Sequence, residues 1–324
     1  MSTPATGPGS DPSELQKFLL AWYRRYRRDL PWRHTRDPYA IWVSEIMLQQ
    51  TRVAAVIDKY AQFLTRFPNV KSLSDASLDD VLTVWSGLGY YRRARALHQA
   101  AQVVVHHLHG KFPETAAGWR QLPGIGRYTS AAIASIAFNE PIAVVDGNVE
   151  RVLERLDGER HEGEKLWERA NELLSHRAPG DWNQAMMELG ATICLPQNPQ
   201  CLICPIHGNC KTRGALGSRP QPKRKRAEVW YALYARKHSV LLVQRPADHS
   251  LMAGMWELPS VVANAAEPVH KLRHSITDTD YAVFVVRGRG DSKHGKWVTQ
   301  EEAHRMALTG LTRKILRKHF AREA

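Results

Sequence analysis

One acidic side chain, Glu45, lies in a run of helical spacing that carries no other charge. It is the only charged residue between Tyr39 and Gln50, and many of its neighbours, such as Trp42 and Ile46, are apolar. A carboxylate in such surroundings is rarely buried without a role, because burying an unpaired charge is costly. Burial would raise the pKa of Glu45 and let it act as a general acid. The alternative is that Glu45 lies on the solvent face of an amphipathic helix.

A glycine hairpin, Leu122-Pro123-Gly124-Ile125-Gly126, separates two segments with helical patterns. Gly124 and Gly126 can adopt positive φ and allow a ligand or another backbone to come close. The helix that follows, from Tyr128 to Phe138, would present free N–H groups at its first turn, beside Arg127. Such a turn attracts a phosphate without reading base sequence. The alternative is an ordinary helical hairpin.

A second acidic residue, Asp146, ends the apolar run Ile142–Val145 and is followed by Gly147 and Asn148. Taken alone, an Asp-Gly pair after an apolar run is read as a simple turn. Asp146 becomes a catalytic candidate only together with the hairpin that precedes it.

The four cysteines of the chain are spaced C-x6-C-x2-C-x5-C, and they are Cys194, Cys201, Cys204 and Cys210. This clustering does not suit a secreted disulfide framework and indicates a metal or cluster site. Four thiolates so close would hold either a tetrahedral zinc ion or a [4Fe–4S] cluster. The spacing by itself does not separate the two.

Further polar and aromatic residues could contact nucleic acid. Trp32 and Arg33 would offer an aromatic plane beside a forked donor, and Tyr90 precedes an arginine pair after a glycine turn. Gln49, Gln50 and Thr51 form a polar patch that suits base edges. The alternatives are solvated turns and a helix junction.

Composition limits the class of protein. The chain has 324 residues, 43% hydrophobic and 24% charged, with a formal net charge of +13. These values favour a globular protein of about two domains with a polyanionic partner. The sequence has no apolar run of 18 residues and no signal-peptide pattern at its start. We expect a monomer in the cytoplasm, associated with the nucleoid if the source is bacterial, and no membrane partner.

The predicted secondary structure changes along the chain from helices to strands. Apolar residues recur at helical spacing through residues 12–193, whereas segments such as Val229–Tyr234, Val240–Val243 and Tyr281–Val286 are strand-like. Two helices are predicted near the end, around Thr299–Met306 and Leu311–Phe320. The predicted organisation is a disordered leader (1–11), a helical domain (12–213) with the cysteine loop (194–210), a linker (214–226) and a small α+β domain (227–324).

These motifs in combination resemble the adenine DNA glycosylase (MutY) family of the endonuclease III, or helix-hairpin-helix, superfamily. The resemblance rests on the segments Val43–Thr51, Gly87–Tyr91, Asp146–Val149 and Trp182–Gly190, together with the hairpin and the cysteine spacing. It implies an all-α glycosylase domain with a [4Fe–4S] loop and a Nudix-like domain. Leu251–Pro259 resembles the opening of a Nudix fold, but the acidic metal-binding helix is missing, so we predict no pyrophosphatase activity.

The resemblance also implies residue roles. The enzyme would flip an adenine, mispaired with 8-oxoguanine or guanine in double-stranded DNA, out of the helix. Glu45 would protonate the adenine, and Asp146 would stabilise the positive sugar. Tyr128 would hydrogen-bond near Glu45, and Asn148 would orient Asp146. The remaining expected contacts are the adenine pocket (Trp32, Arg33, Leu48 and Gln184) and the wedge beside the opposite base (Gln50 and Tyr90).

Two positions refine the expected activity. Where the endonuclease III branch has a lysine that forms a Schiff base, this chain has Tyr128, so the resemblance implies a monofunctional glycosylase. The family's Phe-Ser-His element for 8-oxoguanine is replaced by Ile276-Thr277-Asp278, which keeps only the hydroxyl of Thr277. We therefore expect recognition of the lesion to be weakened or achieved differently. The alternatives are a pyrimidine or thymine-mismatch glycosylase and a non-catalytic, cluster-bearing DNA-binding protein.

Overall fold

A computed structural model describes residues 12–217, 224–246, 249, 252–263, 267–276, 278–288 and 295–320. The predicted leader, residues 1–11, lies outside these ranges. Contacts between Cα atoms divide the chain into two compact units. The first unit is Met1–Asp75 with Ala96–Arg219, and the second is Ala76–Arg95 with Pro220–Ala324. The segment 76–95 therefore groups with the C-terminal part of the chain, although it lies inside the range predicted as the helical domain.

The first unit is helical, as the periodicity predicts. Its helices are α1 (Pro12–Tyr26), α2 (Pro38–Leu48), α3 (Val53–Arg66), α4 (Val70–Asp75), α7 (Ala116–Trp119), α8 (Arg127–Phe138), α9 (Gly147–Asp157), α10 (Glu164–Glu172) and α11 (Pro179–Thr192). Between them in the chain, α5 (Leu78–Trp85) belongs to the second unit, and α6 (Arg92–His106) begins in the second unit and continues into the first. A short 3-10 turn, Pro31–Arg33, precedes α2.

Three helices of the first unit pack around one apolar core. Leu19 of α1, Val152 of α9 and Trp182 of α11 are each at most 2% exposed and belong to a single cluster. Burial of these large side chains stabilises the packing of α9 on α11, because removal of apolar surface from water is favourable. The packing holds the start of α9, where Asp146 lies, next to α11.

Helix α2 is buried on every side, which is unusual for a helix near a cleft. All nine residues from Tyr39 to Met47 are buried, and α2 packs against α3 and α8. Asp37 caps its start by accepting hydrogen bonds from the backbone N–H groups of Tyr39 and Ala40, with Pro38 in the first turn. A helix of this kind has no solvent face, so the amphipathic alternative for Glu45 does not apply.

The glycine hairpin forms as predicted between α7 and α8. Gly124 has φ +74, and a Cβ atom there would lie 2.4 Å from the Cβ of Ala96. Only glycine fits this close approach and left-handed conformation. Gly126 is the N-cap of α8 and provides no side-chain cap, so the first backbone N–H groups of α8 have no side-chain partner from the N-cap residue.

The C-terminal part of the second unit is rich in β-structure. Its strands are β1 (Lys225–Leu233), β2 (Ala235–Arg236), β3 (Ser239–Gln244), β4 (Trp256–Glu257), β5 (Ser260–Val261), β6 (His270–Ile276), β7 (Thr279–Arg287) and β8 (Lys296–Thr299). One sheet has the order β5-β1-β7-β6, in which β1 and β7 are parallel. The other has the order β2-β3-β4, with β8 also paired to β3.

Two helices, α12 (Gln300–His304) and α13 (Gly310–Phe320), follow the strands and lie close to their predicted positions. Their apolar residues, including Leu311 and Ile315, share a core with Val240, Val283 and other strand residues. Strand β1 begins at Lys225, inside the range predicted as a linker, because Lys225 and Arg226 pair in register with Thr279 and Asp280 of β7. In the described residues, no helix is long and apolar enough to cross a membrane.

Candidate active site

Glu45 lies on one wall of a cleft, in the middle of α2. Its side chain is nearly buried, and residue 45 as a whole is 6% exposed. The hydroxyl of Tyr128, on α8, donates a hydrogen bond to Glu45 Oε2 at 2.9 Å. Desolvation raises the pKa of Glu45 to about 7, although the Tyr128 hydrogen bond opposes the rise and the charge of Asp146 adds to it. A carboxyl with this pKa holds a proton near neutral pH and can donate it.

Asp146 also lines the cleft, as the N-cap of α9. Its Oδ1 accepts hydrogen bonds from the backbone N–H groups of Asn148 at 2.9 Å and Val149 at 2.8 Å. Its Oδ2 accepts a third, from Asn148 Nδ2 at 2.8 Å. Three N–H donors therefore surround the carboxyl oxygens of Asp146, whereas Glu45 accepts a hydrogen bond from one phenol.

The cleft has a volume of about 990 Å³. Most of the predicted site residues line it, and these are Trp32, Arg33, Glu45, Leu48, Gln49, Gln50, Thr51, Gly124, Gly126, Arg127, Tyr128, Asp146, Asn148 and Gln184. The fold thus brings together residues from α2, the glycine hairpin, α8, α9 and α11. A nucleobase and its sugar fit within such a volume, since ligand pockets for small molecules have about 300–1,000 Å³.

Tyr90 is not among the residues that line this cleft. It belongs to the second unit, and residue 90 as a whole is 44% exposed. Thr277 lies outside the described residues, between Ile276 at the end of β6 and Asp278. Gln50 does line the cleft, and its backbone adopts φ 53. A left-handed conformation at a residue with a side chain is uncommon and is enriched at functional sites.

Glu188 is a site residue to which the sequence analysis gives no role. Its carboxylate accepts hydrogen bonds from Arg28 Nη2 and Arg33 Nη2, both at 2.7 Å. Burial alone would raise the pKa of Glu188, but these hydrogen bonds outweigh it and lower the pKa to about 2. Glu188 therefore fixes Arg33, whose side chain is only 8% exposed. The sequence offered one signal for this residue, namely an acidic side chain amid the apolar positions of α11. The two arginines that bind Glu188 lie more than 150 positions away in the sequence.

Two polar side chains, Asn183 and Gln49, connect helices that contribute residues to the cleft. The buried amide of Asn183 accepts a hydrogen bond from the Val144 backbone N–H at 3.1 Å and donates to Ser135 Oγ at 2.9 Å. Gln49 Nε2 donates to Thr129 Oγ1 at 3.0 Å. Asn183 therefore fixes the segment that leads into Asp146. Gln49 is anchored to α8 through its amide.

Arg127 already has partners in the first unit. Its guanidinium forms an ion pair with Glu164 at 2.5 Å and lies 4.0 Å from the centre of the Trp167 ring. The pair is partly exposed, so solvent screens it and its contribution to stability is small. A phosphate at the hairpin would meet the backbone N–H groups of α8 together with this guanidinium.

The four cysteines lie close together. All are partly buried and line one small cavity of about 30 Å³, with Arg155 and Arg213 beside them. Arg155 Nη1 donates to Cys194 Sγ at 3.3 Å, and the Arg213 backbone N–H donates to Cys210 Sγ at 3.4 Å. Donors of this kind stabilise thiolates. Among the described residues, no group of three or more His, Cys, Asp or Glu side chains has the arrangement to hold a single metal ion.

Arg151 links the cysteine loop to the cleft. Its guanidinium donates to the Cys194 carbonyl at 2.8 Å, to Asn148 Oδ1 at 2.9 Å and to the Gly190 carbonyl at 2.8 Å. Asn148 in turn holds Asp146. The side-chain amide of Asn148 is thus oriented from both sides, which fixes the direction of its N–H toward the Asp146 carboxylate.

Comparison with known proteins identifies the class of protein to which the helical unit belongs. Residues 43–176 match the family described as HhH-GPD superfamily base excision DNA repair protein. A thermostable thymine-DNA glycosylase has a similar structure, with a TM-score of 0.59 and 31% identity, over 62% of this chain and 96% of that chain. A non-covalent endonuclease III–DNA complex shares the fold, with a TM-score of 0.54 and 21% identity over 63% and 97%. The helical unit is therefore that of a helix-hairpin-helix base-excision repair protein.

Curated relatives narrow the class to one family. Human adenine DNA glycosylase is 35% identical over 95% of this chain and 74% of its own length. The mouse protein is 40% identical over 80% and 62%, and the Buchnera aphidicola (Acyrthosiphon pisum) protein is 42% identical over 60% and 58%. The chain belongs to the adenine DNA glycosylase family, and the resemblance seen in the sequence is confirmed.

Proposed function

We propose that this protein hydrolyses the N-glycosidic bond of adenine mispaired with 8-oxoguanine or guanine in double-stranded DNA, without cleaving the strand. The observation that carries the proposal is the pairing of Glu45, with a pKa of about 7, and a hydrogen-bonded Asp146 in one cleft. One carboxyl holds a proton while the other is ionised, which is the arrangement that glycoside cleavage requires.

In the proposed reaction, the extruded adenine enters the cleft between the two acids. Glu45 donates its proton to a ring nitrogen, and the electrons of the glycosidic bond pass to the base as the bond breaks. Asp146 stabilises the positive charge that develops on the sugar. Water then adds to the anomeric carbon and gives its proton to the Glu45 carboxylate, which restores the acid, and adenine and the DNA with an abasic site are released.

Tyr128 supports the monofunctional part of the proposal. Strand cleavage through a Schiff base needs an amine nucleophile near the sugar. The residue that follows Gly126-Arg127 here is a phenol, and its hydroxyl is engaged with Glu45. Measured strand cleavage at a rate that matches base release would contradict this part.

The cysteine loop supports a [4Fe–4S] cluster as the cofactor. Cys194, Cys201, Cys204 and Cys210 surround one cavity, and Arg155 donates to a sulfur there. A tetrahedral zinc site would bring the sulfurs to a single centre, whereas a cube of iron and sulfide holds them farther apart. The group would tie the loop to α9 and act structurally. A yellow-brown protein with broad absorbance in the blue part of the visible spectrum is the expected readout.

Recognition of the opposite base is proposed to depend little on the element at 276–278. Asp278 forms an ion pair with Lys225 at 3.0 Å, and Ser275 and Arg224 both contact Asp280. The proposal predicts a modest preference for 8-oxoguanine over guanine. A large preference for 8-oxoguanine that is lost in Thr277→Ala would contradict this part of the proposal.

The test is base release from defined duplexes under single-turnover conditions. Duplexes that pair adenine with 8-oxoguanine, guanine or thymine are compared, and released adenine is measured directly, with strand scission measured with and without alkali. We expect adenine release from the first two, negligible release from the adenine:thymine duplex, and breaks only after alkali. A thymine:guanine duplex tests the second candidate, which similarity to the thymine-DNA glycosylase favours. Thymine release without adenine release would overturn the proposal.

A further inference from the structure

The turn that carries Tyr90 has an unusual backbone. Gly87 has φ 103, Gly89 has φ 69 and Tyr90 itself has φ 48. A tyrosine in the left-handed region costs energy and persists only where its surroundings enforce the conformation. Tyr90 as a whole residue is nevertheless 44% exposed. Contacts on both sides of the turn account for this combination.

The anchors that precede the turn come from α13 and the end of α12. Arg313 of α13 donates a hydrogen bond from its guanidinium to Ser86 Oγ, directly before Gly87. Thr83 Oγ1 donates to the Arg305 carbonyl at 3.4 Å. Ser86 is also the C-cap of α5, so Arg313 contacts the residue at which the helix ends and the turn begins.

The anchors that follow the turn come from two other places in the second unit. Tyr91 Oη donates to the Leu308 carbonyl at 3.4 Å. Arg95 donates to the Ala253 carbonyl, and a Cβ at Gly254 would lie 2.7 Å from Arg95 Nη2. Ala253 and Gly254 belong to the segment whose sequence resembles the opening of a Nudix fold. In this chain, Arg95 from the range 76–95 donates a hydrogen bond to that segment.

These anchors are themselves well fixed. Leu308 is 2% exposed and forms a bridge with Trp256. Thr309 and Thr312 are each 1% exposed, and their hydroxyls are joined by a hydrogen bond of 2.9 Å at the start of α13. The Arg313 backbone N–H donates to the Thr309 carbonyl at 3.0 Å. Arg313 thus projects from a helix whose start is held by buried hydrogen bonds and by the apolar core of the second unit.

Inside the turn, Arg93 contacts Tyr90 directly. Its Nη2 donates to the carbonyls of Leu88 and Gly89, both at 3.3 Å. Its guanidinium lies 5.3 Å from the centre of the Tyr90 ring and 5.5 Å from that of Trp85. Trp85 Nε1 also donates to the Gly89 carbonyl, at 3.1 Å. The turn has a defined shape before any DNA arrives, which lowers the entropic cost of inserting the ring.

We propose that Arg313 is a positioning residue for DNA binding. Through Ser86 it holds the turn 86–90 so that the ring of Tyr90 is presented, already ordered, for stacking against a base of the duplex. The inference rests on the proposed function, because it takes Tyr90 to be the wedge beside the base opposite adenine. It gives the C-terminal part of the chain an indirect role in binding, separate from any contact that it makes with the lesion.

The test is a double-mutant cycle in the full-length protein. The dissociation constant is measured for an adenine:8-oxoguanine duplex whose adenosine carries a 2′-fluoro sugar, which resists cleavage. The proteins are wild type, Arg313→Ala, Tyr90→Ala and the double variant. Arg317→Ala is the matched control, because Arg317 is exposed on the same helix and its loss removes the same charge.

We expect Arg313→Ala and Tyr90→Ala each to weaken binding about tenfold, in the range of one lost base–aromatic stack. The double variant should also lose about tenfold rather than a hundredfold, because both changes disable the same contact. Arg317→Ala should change binding less than threefold, as expected for one surface cation. Arg313→Lys, which keeps a donor, should recover part of the loss. The maximal rate of adenine release on saturating unmodified duplex should stay within about threefold of wild type in Arg313→Ala.

Additive losses in the double variant, or equal losses in Arg313→Ala and Arg317→Ala, would overturn the inference. So would normal binding by Tyr90→Ala. If Arg313→Ala does not fold, Ser86→Ala removes the acceptor from the other side and takes its place in the cycle. A wild-type protein that releases no adenine from the unmodified duplex would instead overturn the proposed function, and the inference with it.

Discussion

The two walls of the cleft show how one chemical group acquires two different properties. Glu45 lies in the middle of α2, where every neighbouring residue is buried and one phenol is its hydrogen-bond donor. Asp146 lies at the start of α9, where three N–H groups surround its oxygens. Desolvation raises the pKa of Glu45 to about 7, whereas the oxygens of Asp146 accept three hydrogen bonds. The position of each acid in the fold, not its residue type, sets its surroundings.

The same contrast applies to the two buried acids on the first side of the cleft. Glu188 is as deeply buried as Glu45, yet its pKa is lowered to about 2 because Arg28 and Arg33 bind it. Burial raises the pKa of Glu45 more than the charge of Arg33 lowers it. The two acids therefore differ because arginines donate hydrogen bonds directly to Glu188 and not to Glu45.

The largest effect is expected from removal of the acidic proton of Glu45. Glu45→Gln keeps the shape and the hydrogen-bond acceptor but has no acidic proton. We expect the single-turnover rate of adenine release to fall about a thousandfold, within the range for general acid catalysis. Duplex affinity, measured by fluorescence anisotropy, should change less than threefold. A loss in rate smaller than tenfold would contradict the role of Glu45.

The same variant should be more stable than wild type at high pH. The pKa of Glu45 is raised from 4.5 to about 7 in the folded state, so the stability from the protonated form is present below pH 4.5 and lost as pH rises through 7. At pH 8, Glu45→Gln should gain up to about 3 kcal/mol in the free energy of unfolding, and little at pH 5. Urea unfolding at both pH values measures this. Glu164→Gln, an exposed control, should show no such gain, and equal stability of Glu45→Gln and wild type at pH 8 would show that Glu45 is not desolvated.

Replacing Asp146 should lower the rate of adenine release less than replacing Glu45. Asp146→Asn removes the negative charge and turns an amide toward the N–H groups of Asn148 and Val149. We expect the rate of adenine release to fall about a hundredfold, as for loss of one electrostatic contact to a transition state. The assay is the same single-turnover measurement, with duplex binding as the control. A rate close to that of wild type would exclude charge stabilisation by Asp146.

Of the three substitutions, we expect the smallest change in rate from removal of the hydrogen bond between Tyr128 on α8 and Glu45 on α2. The wild-type ratio kcat/KM should decline as pH rises through about 7, because Glu45 must be protonated. Tyr128 donates to the Glu45 carboxylate and so lowers its pKa. Tyr128→Phe should therefore raise the pKa and move the decline to higher pH, with less than a tenfold change in rate at pH 6. A shift to lower pH would show that the hydroxyl acts in another way, and Tyr60→Phe serves as a control outside the cleft.

The local features of this protein could be predicted from the sequence alone. Helical spacing in α1–α3, the strand-like runs of β1, β3 and β7, the glycine hairpin and the cysteine loop depend on neighbouring residues, so they can be read directly. The motifs around Glu45, Tyr128 and Asp146 likewise indicated the family before the fold was known. Each of these signals spans fewer than about twenty residues, the length over which propensity and periodicity operate.

The burial of Glu45 follows from tertiary packing, because it depends on the packing of α3 and α8 against α2. The contact between Glu188 and Arg33 and the grouping of residues 76–95 with the C-terminal part of the chain also follow from tertiary packing. Apart from the packing of α3 on α2, these outcomes join residues more than 80 positions apart in the sequence, so no local pattern encodes them. The protonation of a side chain follows from its three-dimensional surroundings, since desolvation and hydrogen-bond donors act through space.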